Sequence, residues 1–218
     1  MKIIFLIFLS AIQISSFAQI KTQRIEIKDN LGFKENYRVI EPECKIKHGS
    51  YKKFYNGSLI EFGQYENNIK SNIWEYYSNG QIELIYDFTK KELIKSTDNE
   101  LFANVIIAND TIAENIQQKP ILLGSSTYTN AYIAYNVEYP LIAIQNDLSG
   151  IVYIGIVIDE HGVVIDHYIA KGKHDILNKE ALKVVKSLKL DFIPAIYNNM
   201  NVKSVIFYPI NFKLGTRP

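Results

Sequence analysis

The pattern of hydrophobic and polar positions is most regular after Tyr139. Residues 151–158 form an unbroken apolar run rich in β-branched side chains, which predicts a strand buried on both faces. The turn over residues 159–162 ends on a glycine, which suits a left-handed backbone position. Residues 163–170 then predict a second strand. We therefore expect an antiparallel hairpin at this point of the chain.

The next apolar positions follow a helical period and then alternate. Between Leu177 and Leu188, apolar residues recur at i, i+4, i+7, i+8 and i+11, which is one stripe of an amphipathic helix. Asp175 or Asn178 is expected to cap its N-terminus. Residues 202–214 alternate and predict a final strand. Its core-facing side chains would be Ile206, Tyr208, Ile210, Phe212 and Leu214.

A different pattern, with a period of 23 residues, runs from Gly49 to Phe88. Each copy contains Asn-Gly between two aromatic-rich runs, which predicts a hairpin with a type I′ turn. One hairpin cannot bury its aromatic face alone, so we expect the hairpins to stack into an antiparallel sheet. The matched pairs are Tyr51 and Trp74, Phe54 and Tyr77, Asn56 and Asn79, Leu59 and Ile82, and Tyr65 and Phe88.

These hairpin units resemble the MORN-like repeats of bacterial exported proteins. Both copies keep the Asn-Gly turn of that pattern, at Asn56-Gly57 and Asn79-Gly80, but the second copy lacks two of its glycines, at Asn72 and Tyr86. The aromatic side chains are expected to form the core of the sheet. A glycan-binding face is the alternative.

Residues 93–135 are the least regular part of the chain and read as a connector. Residues 103–108 predict a short strand and residues 120–124 another extended piece. The serines and threonines between residues 125 and 129 predict a loop.

The C-terminal section, residues 136–218, resembles the C-terminal domain of the TonB family over about 80 residues, with order and spacing preserved. The resemblance implies a three-stranded antiparallel sheet packed on helices, and so an α+β fold for the whole chain. The matching motifs are Tyr139-Pro140 with Ala143, Gly150 with Val152, Ile158-Asp159 with Gly162, Leu177-Asn178 with Ala181-Leu182, Phe192 with Pro194, and Pro209-Ile210 with Phe212 and Leu214.

What the resemblance implies is a periplasmic binding module that grips an extended segment of an outer-membrane TonB-dependent transporter, or a similar receptor, by strand addition. Proline is tolerated in edge strands and not in central ones, so Pro209 independently places the last strand at a sheet border. Alternatively, Pro209 only protects that edge against aggregation. The expected partner-binding residues are Val205, Phe207, Tyr208, Pro209, Ile210 and Phe212.

Residues 1–18 have the pattern of a cleavable signal peptide. Met1-Lys2 supplies a charge, residues 3–9 are apolar, and Ser16 and Ala18 are small residues before a cut that follows Ala18. This predicts three further sections, a repeat section (19–92), the connector and the TonB-like domain, in a periplasmic or envelope-located protein. An uncleaved inner-membrane anchor is the alternative, although polar residues interrupt the apolar run, which a spanning helix needs over about 20 residues.

Whether the N-terminal segment is cleaved or stays as a membrane anchor separates two possible functions. Energy-transducing family members reach an inner-membrane motor through a membrane helix and a long proline-rich spacer. This chain has hairpins in place of that spacer, so an inner-membrane motor is a partner only if the N-terminus stays anchored. The alternative function is a non-transducing periplasmic scaffold or interaction protein. A homodimer is also an open alternative.

Composition and candidate chemistry narrow the picture further. The chain has 24 Lys and Arg against 23 Asp and Glu, which argues against a nucleic-acid partner. One cysteine, Cys44, cannot form an internal disulfide, and the four histidines lack the spacing of a zinc site. Asp159 and Glu160 are adjacent in a turn and are expected to be solvated. We therefore predict no catalytic residues, no metal and no cofactor.

Overall fold

The computed structural model describes residues 20–41, 45–97, 105–107 and 116–214, with residues 105–107 described by their backbone. The first seven strands form one antiparallel sheet in chain order. The two predicted hairpins are its middle, β3 to β6, with two strands before them and one after. The strands are β1 (Thr22–Lys28), β2 (Phe33–Ile40), β3 (Lys47–Tyr55), β4 (Ser58–Glu66), β5 (Ile69–Ser78), β6 (Gln81–Asp87) and β7 (Glu92–Ser96).

Both Asn-Gly turns have the backbone that their residues predict. Asn56 and Gly57 have φ of 46° and 84°, and Asn79 and Gly80 have φ of 49° and 76°. A type I′ turn requires positive φ at both central positions, and asparagine and glycine adopt it at low cost. The turns therefore hold β3 against β4 and β5 against β6.

The aromatic residues of the repeats form a core. The Trp74 indole is fully buried and lies directly over Gly63, where an added Cβ would come within 2.3 Å of the ring. Tyr51 and Tyr76 are buried beside it. Side chains of the connector cover this cluster, Leu123 among them. The aromatic face is therefore packed against the chain itself and is not an open glycan-binding surface.

The rest of the chain builds a second sheet covered by helices. Its strand order is β11-β10-β15-β8, so a short strand from the connector joins the three predicted strands. The predicted α+β fold is confirmed. The elements are β8 (Val105–Ile107), β9 (Ile121–Leu122), α1 (Ser126–Asn136), α2 (Leu141–Gln145), β10 (Gly150–Ile158), β11 (Val164–Lys171), α3 (Asp175–Ser187), β12 (Phe192–Ile193), β13 (Ala195–Tyr197), β14 (Met200–Val202) and β15 (Ser204–Phe212).

The helix stripe and the strand alternation meet in one core, as their periods predict. Short β9 and β12 pair with each other beside it, and β13 pairs with β14. The buried core includes Val152, Ile154, Ile156 and Ile158 of β10, Leu177, Ala181, Val184 and Val185 of α3, and Ile206, Tyr208, Ile210 and Phe212 of β15.

The predicted cap of α3 is wrong. His174 occupies the N-cap position without a side-chain hydrogen bond, and Asp175 is the first helical residue, where its charge favours the positive end of the helix dipole. Asn178 is buried one turn later and lies against Gly172, so its side chain fills the loop before the helix.

The predicted loop over residues 125–129 is also wrong, because α1 begins at Ser126. Ser125 Oγ donates to the carbonyl of Tyr77 at 2.8 Å, and Ser126 is hydrogen-bonded to Glu83. These partners lie more than 40 residues away in the sequence. Tertiary contacts therefore stabilise a helix start that local composition does not predict.

Candidate partner-binding edge

The last strand, β15, is paired along its whole length with β10. Its pairing with β10 runs from Ser204 opposite Ile158 to Phe212 opposite Gly150. On its other side, β8 pairs with residues 204–206. Residues 207–212 are the part of β15 that lies beyond the described pairing with β8. We call residues 207–212 the β15 edge.

One of the expected partner-binding residues is already paired within the chain. Val205, one of the expected partner-binding residues, lies opposite Ile106 of β8. The strand that covers it comes from the connector, about 100 residues earlier in the chain. Strand pairing over such a separation leaves no periodic signal in the local sequence, so the sequence did not predict it. The assignment of the partner-binding residues stays a prediction.

The predicted residues on the β15 edge divide between two faces. Tyr208, Ile210 and Phe212 are buried in the core, with 2–4% of their surface exposed. Phe207 is half-buried and Pro209 is exposed on the opposite face. Main-chain groups bind an added strand, so the buried side chains hold the strand in place and the outer ones are available to a ligand.

Pro209 lies opposite Tyr153 of β10. Proline has no N–H to donate, and strands accept it where the missing donor faces away from the neighbouring strand. The ladder to β10 continues on both sides of Pro209, through Tyr208 and Ile210. A proline in the middle of a nine-residue strand is therefore compatible with an edge at this point.

Two contacts fix the β15 edge to the helices. The Tyr208 hydroxyl donates to Asn130 Oδ1 of α1 at 2.8 Å, and burial raises the pKa of Tyr208 above its usual range. The Phe212 ring meets the ring of Tyr139 edge to face, with centroids 5.5 Å apart. Tyr139 in turn donates its hydroxyl proton to the Leu148 carbonyl. The edge is thus held near its middle and at its end.

Helix α1 also contacts the first sheet. Both carboxylate oxygens of Glu83, on β6, accept hydrogen bonds at 2.6 Å from Ser126, one from its N–H and one from its hydroxyl. The centroids of the Tyr128 and Phe33 rings are 5.0 Å apart. Lys53 Nζ lies 3.6 Å from the centroid of the Tyr128 ring. The first sheet, α1 and the β15 edge are therefore connected by direct contacts.

The structure shows a repeated feature of the first sheet that the sequence analysis missed. Lys47 and Lys70, 23 residues apart, each place an ammonium over the aromatic rings of their own repeat. Each lysine stands two residues before the first residue of its copy, Gly49 or Asn72, and the same 23-residue offset relates the two lysines. The Nζ-to-centroid distances are 5.1 Å for Lys47–Tyr51, 5.2 Å for Lys47–Tyr65, 4.4 Å for Lys70–Trp74 and 5.3 Å for Lys70–Phe88.

These lysines stabilise the sheet by cation–π contacts at partly buried positions. Burial lowers the pKa of Lys70, and the nearby Glu61 carboxylate opposes that shift. Burial in turn raises the pKa of Glu61. The charged groups thus lie inside the packed face of the first sheet, next to its aromatic core.

The side chains that could suggest catalysis or metal binding do not form such a site in the described residues. Asp159 Oδ1 accepts the N–H of His161 at 2.9 Å and of Val163 at 2.8 Å, which fixes the hairpin turn. In the described part of the chain, no three His, Cys, Asp or Glu residues are grouped as metal ligands would be. Cys44 and the predicted signal peptide lie outside the described residues.

Across residues 20–41, 45–97 and 116–214, no helix combines the length and the apolar character that crossing a bilayer requires.

Comparison with known proteins supports the resemblance of the C-terminal section. Residues 135–214 match the family model described as Gram-negative bacterial TonB protein C-terminal. No curated protein and no solved structure gave a significant match to the chain. The match includes α2, β10, β11, α3 and β15, so the candidate edge lies within it. The MORN-like resemblance of the hairpins stays a prediction.

Proposed function

We propose that this protein is a non-catalytic binding protein of the cell envelope whose TonB-like domain takes up an extended segment of an outer-membrane transporter as an added strand. The observation that supports the proposal most strongly is the match of residues 135–214 to the TonB C-terminal family model, which includes β15. This strand pairs with β10 along its whole length, and its pairing with β8 covers residues 204–206.

The geometry limits how a ligand strand would bind. Because β8 already pairs with residues 204–206, the ligand starts at Phe207 and runs alongside six residues. Main-chain hydrogen bonds give affinity in this mode, and alternate side chains give specificity. The ligand side chains on the outer face meet Phe207 and Pro209. We expect small or apolar residues there, because Phe207 is half-buried.

A rigid edge favours strand addition because the receptor strand loses little conformational entropy on binding. The buried side chains of Tyr208 and Phe212 hold the strand in the core, and α1 holds Tyr208. A ligand that is disordered before binding loses its own conformational entropy, so a pre-ordered receptor strand reduces the total cost. Energy coupling to an inner-membrane motor requires an uncleaved N-terminal anchor.

Amide hydrogen exchange of the full chain tests the proposal. The probe is a synthetic peptide of the plug segment of a TonB-dependent transporter. We expect slower exchange at alternate amides within residues 207–212 and no change within residues 204–206, which β8 already covers. The same strand thus supplies an internal control.

A second peptide with N-methyl groups on alternate residues serves as the matched ligand control. It keeps the side chains and removes the main-chain donors that strand addition needs. Equal binding of both peptides, or protection located outside the β15 edge, would show that this domain does not work by strand addition.

A scaffold without energy coupling is the second candidate function. The contacts of α1 favour it, because Glu83 and Tyr128 join a seven-stranded sheet to the TonB-like domain where transducing family members have a flexible spacer. N-terminal sequencing of the protein purified from cells separates the two functions. A new N-terminus at Gln19 supports the free scaffold, and an intact Met1 supports the anchored transducer.

A further inference from the structure

Helix α3 presents a stripe of lysines to solvent. Lys179, Lys183 and Lys186 recur at i, i+4 and i+7, and all three are exposed. This spacing places them on one side of the helix, opposite its buried stripe. The loop before α3 adds two more exposed lysines, Lys171 and Lys173. One face of the TonB-like domain is therefore lined with ammonium groups, and we call these five lysines the basic face.

The basic face is a local excess of charge in a chain that is nearly neutral. The whole sequence has 24 Lys and Arg against 23 Asp and Glu, but residues 171–189 contain six lysines and only two acidic residues. Glu180 is paired with Lys183 at 2.9 Å. Within residues 20–41, 45–97 and 116–214, no carboxylate lies within ion-pair distance of Lys179 or Lys186. Most of this positive charge is therefore available to an anionic partner.

Exposed apolar side chains lie beside the basic face. The Glu138 N–H donates to Glu180 Oε1 at 2.9 Å, which holds the segment between α1 and α2 against α3. Three residues later, α2 begins with Leu141 and Ile142, which are 76% and 60% exposed. Ala143 of the same helix is fully buried in the core. The short helix is therefore fixed to the domain while its first two side chains point to solvent.

We propose that this face of the TonB-like domain binds the surface of a bilayer that contains anionic phospholipids. The lysines attract the phosphate groups of the lipids, and Leu141 and Ile142 enter the boundary between headgroups and acyl chains. Peripheral proteins bind anionic membranes through this combination of clustered lysines and neighbouring apolar side chains. An acidic polypeptide would use the lysines alone, so the two exposed apolar side chains favour a lipid surface.

Binding to a bilayer would bring the end of β15 close to the membrane. Tyr139, which lies between Glu138 and α2, packs its ring on Phe212 with centroids 5.5 Å apart. The basic face and residues 207–212 use different side chains. One molecule can therefore bind a membrane and an added strand at the same time, and the lipid proposal does not require strand addition.

Co-sedimentation of the full chain with lipid vesicles tests the proposal. We expect binding to vesicles made of phosphatidylglycerol and phosphatidylcholine in equal parts. Binding to phosphatidylcholine alone should be weaker by about tenfold or more, because each lysine near an anionic surface contributes about fivefold to the affinity. Added salt should weaken the binding to the anionic vesicles, since it screens the attraction.

Paired substitutions of lysine locate the binding face. Lys179→Gln/Lys186→Gln should weaken binding to the anionic vesicles by about tenfold or more. Lys52→Gln/Lys95→Gln removes the same charge from the first sheet and should leave the affinity within about twofold. All four positions are exposed, so the fold should tolerate either pair.

A third variant tests the apolar contribution. Leu141→Gln/Ile142→Gln keeps every charge and should also weaken binding to the anionic vesicles, by about tenfold, because two large side chains no longer leave water. Both side chains are already exposed in the free protein, so their replacement should not unfold it.

Four outcomes would overturn the lipid proposal. They are equal binding to both kinds of vesicle, equal losses in the two lysine pairs, unchanged binding after Leu141→Gln/Ile142→Gln, and absence of binding to the anionic vesicles. In the last case, binding of soluble polyglutamate would assign the basic face to an acidic polypeptide. None of these variants changes a residue of β15, so the outcome is independent of the test of strand addition.

Discussion

The Tyr208 hydroxyl donates to Asn130 Oδ1 at 2.8 Å, across 78 residues of sequence, and joins the middle of β15 to α1. The N-terminus of the same helix is hydrogen-bonded to Glu83 of the first sheet. A chain of contacts therefore runs from the repeats to the candidate edge. Each contact can be removed separately, which makes its contribution measurable.

Tyr208→Phe should lower the free energy of unfolding by about 1 kcal/mol, because it removes one hydrogen bond and keeps the packed ring. Asn130 is exposed, so water can replace its lost partner and no buried acceptor is left unsatisfied. Denaturant unfolding measures the change. A double-mutant cycle with Asn130→Ala provides the control. Additive effects of the two substitutions would show that the bond contributes nothing.

Glu83→Gln should destabilise the protein by about 1–2 kcal/mol. The carboxylate accepts two hydrogen bonds from Ser126 at the start of α1, and the amide supplies one acceptor and no charge for the helix N-terminus. Exchange at the first amides of α1 should become faster. Glu92→Gln, on the exposed border strand β7, is the matched control and should have little effect. Similar losses in both variants would contradict a specific role for Glu83.

Gly63→Ala should cost about 3 kcal/mol, because the new methyl group would lie 2.3 Å from the buried Trp74 ring and force it to move. Gly124→Ala is the control. Its methyl group would meet Leu122 Cγ at 3.7 Å, an ordinary contact, so the change should stay within about 0.5 kcal/mol. Thermal unfolding compares the two. A tolerated Gly63→Ala would mean that the indole does not rest on this glycine.

The features that the sequence predicts well have a local cause. Asn56-Gly57 and Asn79-Gly80 determine their turns because the required φ values belong to these residue types. The stripe ending at Leu188 predicts α3, and its spacing alone places it on the core. The alternation in β15 likewise identifies Ile206 as core-facing, because side chains of a strand point to opposite faces in turn.

The features that the sequence does not predict depend on contacts between residues far apart in the chain. Helix α1 begins where Ser126 meets Glu83, and β8 covers Val205 from about 100 residues upstream. Neither partner can be identified from a window of neighbouring residues. The predicted edge at Pro209 was therefore placed from a local property of proline, while its length depends on a strand pairing that no local property encodes.

His167 makes the stability of the protein depend on pH. Its side chain is half-buried on the α3 side of β11, and its Nε2 has no hydrogen-bond partner among the described residues. Burial, and then the nearby Lys186 ammonium, lower the pKa of His167 below its usual 6.5, while the Asp166 carboxylate opposes the shift. The unfolded chain therefore binds a proton at this residue more readily than the folded chain does.

Protonation of His167 therefore favours the unfolded chain, so acid lowers the free energy of unfolding. The contribution of His167 is fully present above pH 6.5 and is lost as the pH falls through the lowered pKa of the folded state. His167→Gln, which cannot titrate, should lose less stability than the natural chain between about pH 7.5 and pH 5. Denaturant unfolding at several pH values measures both proteins. Lys186→Gln should reduce the slope in the natural background and leave it unchanged beside His167→Gln. Parallel pH profiles for the natural chain and His167→Gln would exclude His167 as the titrating group.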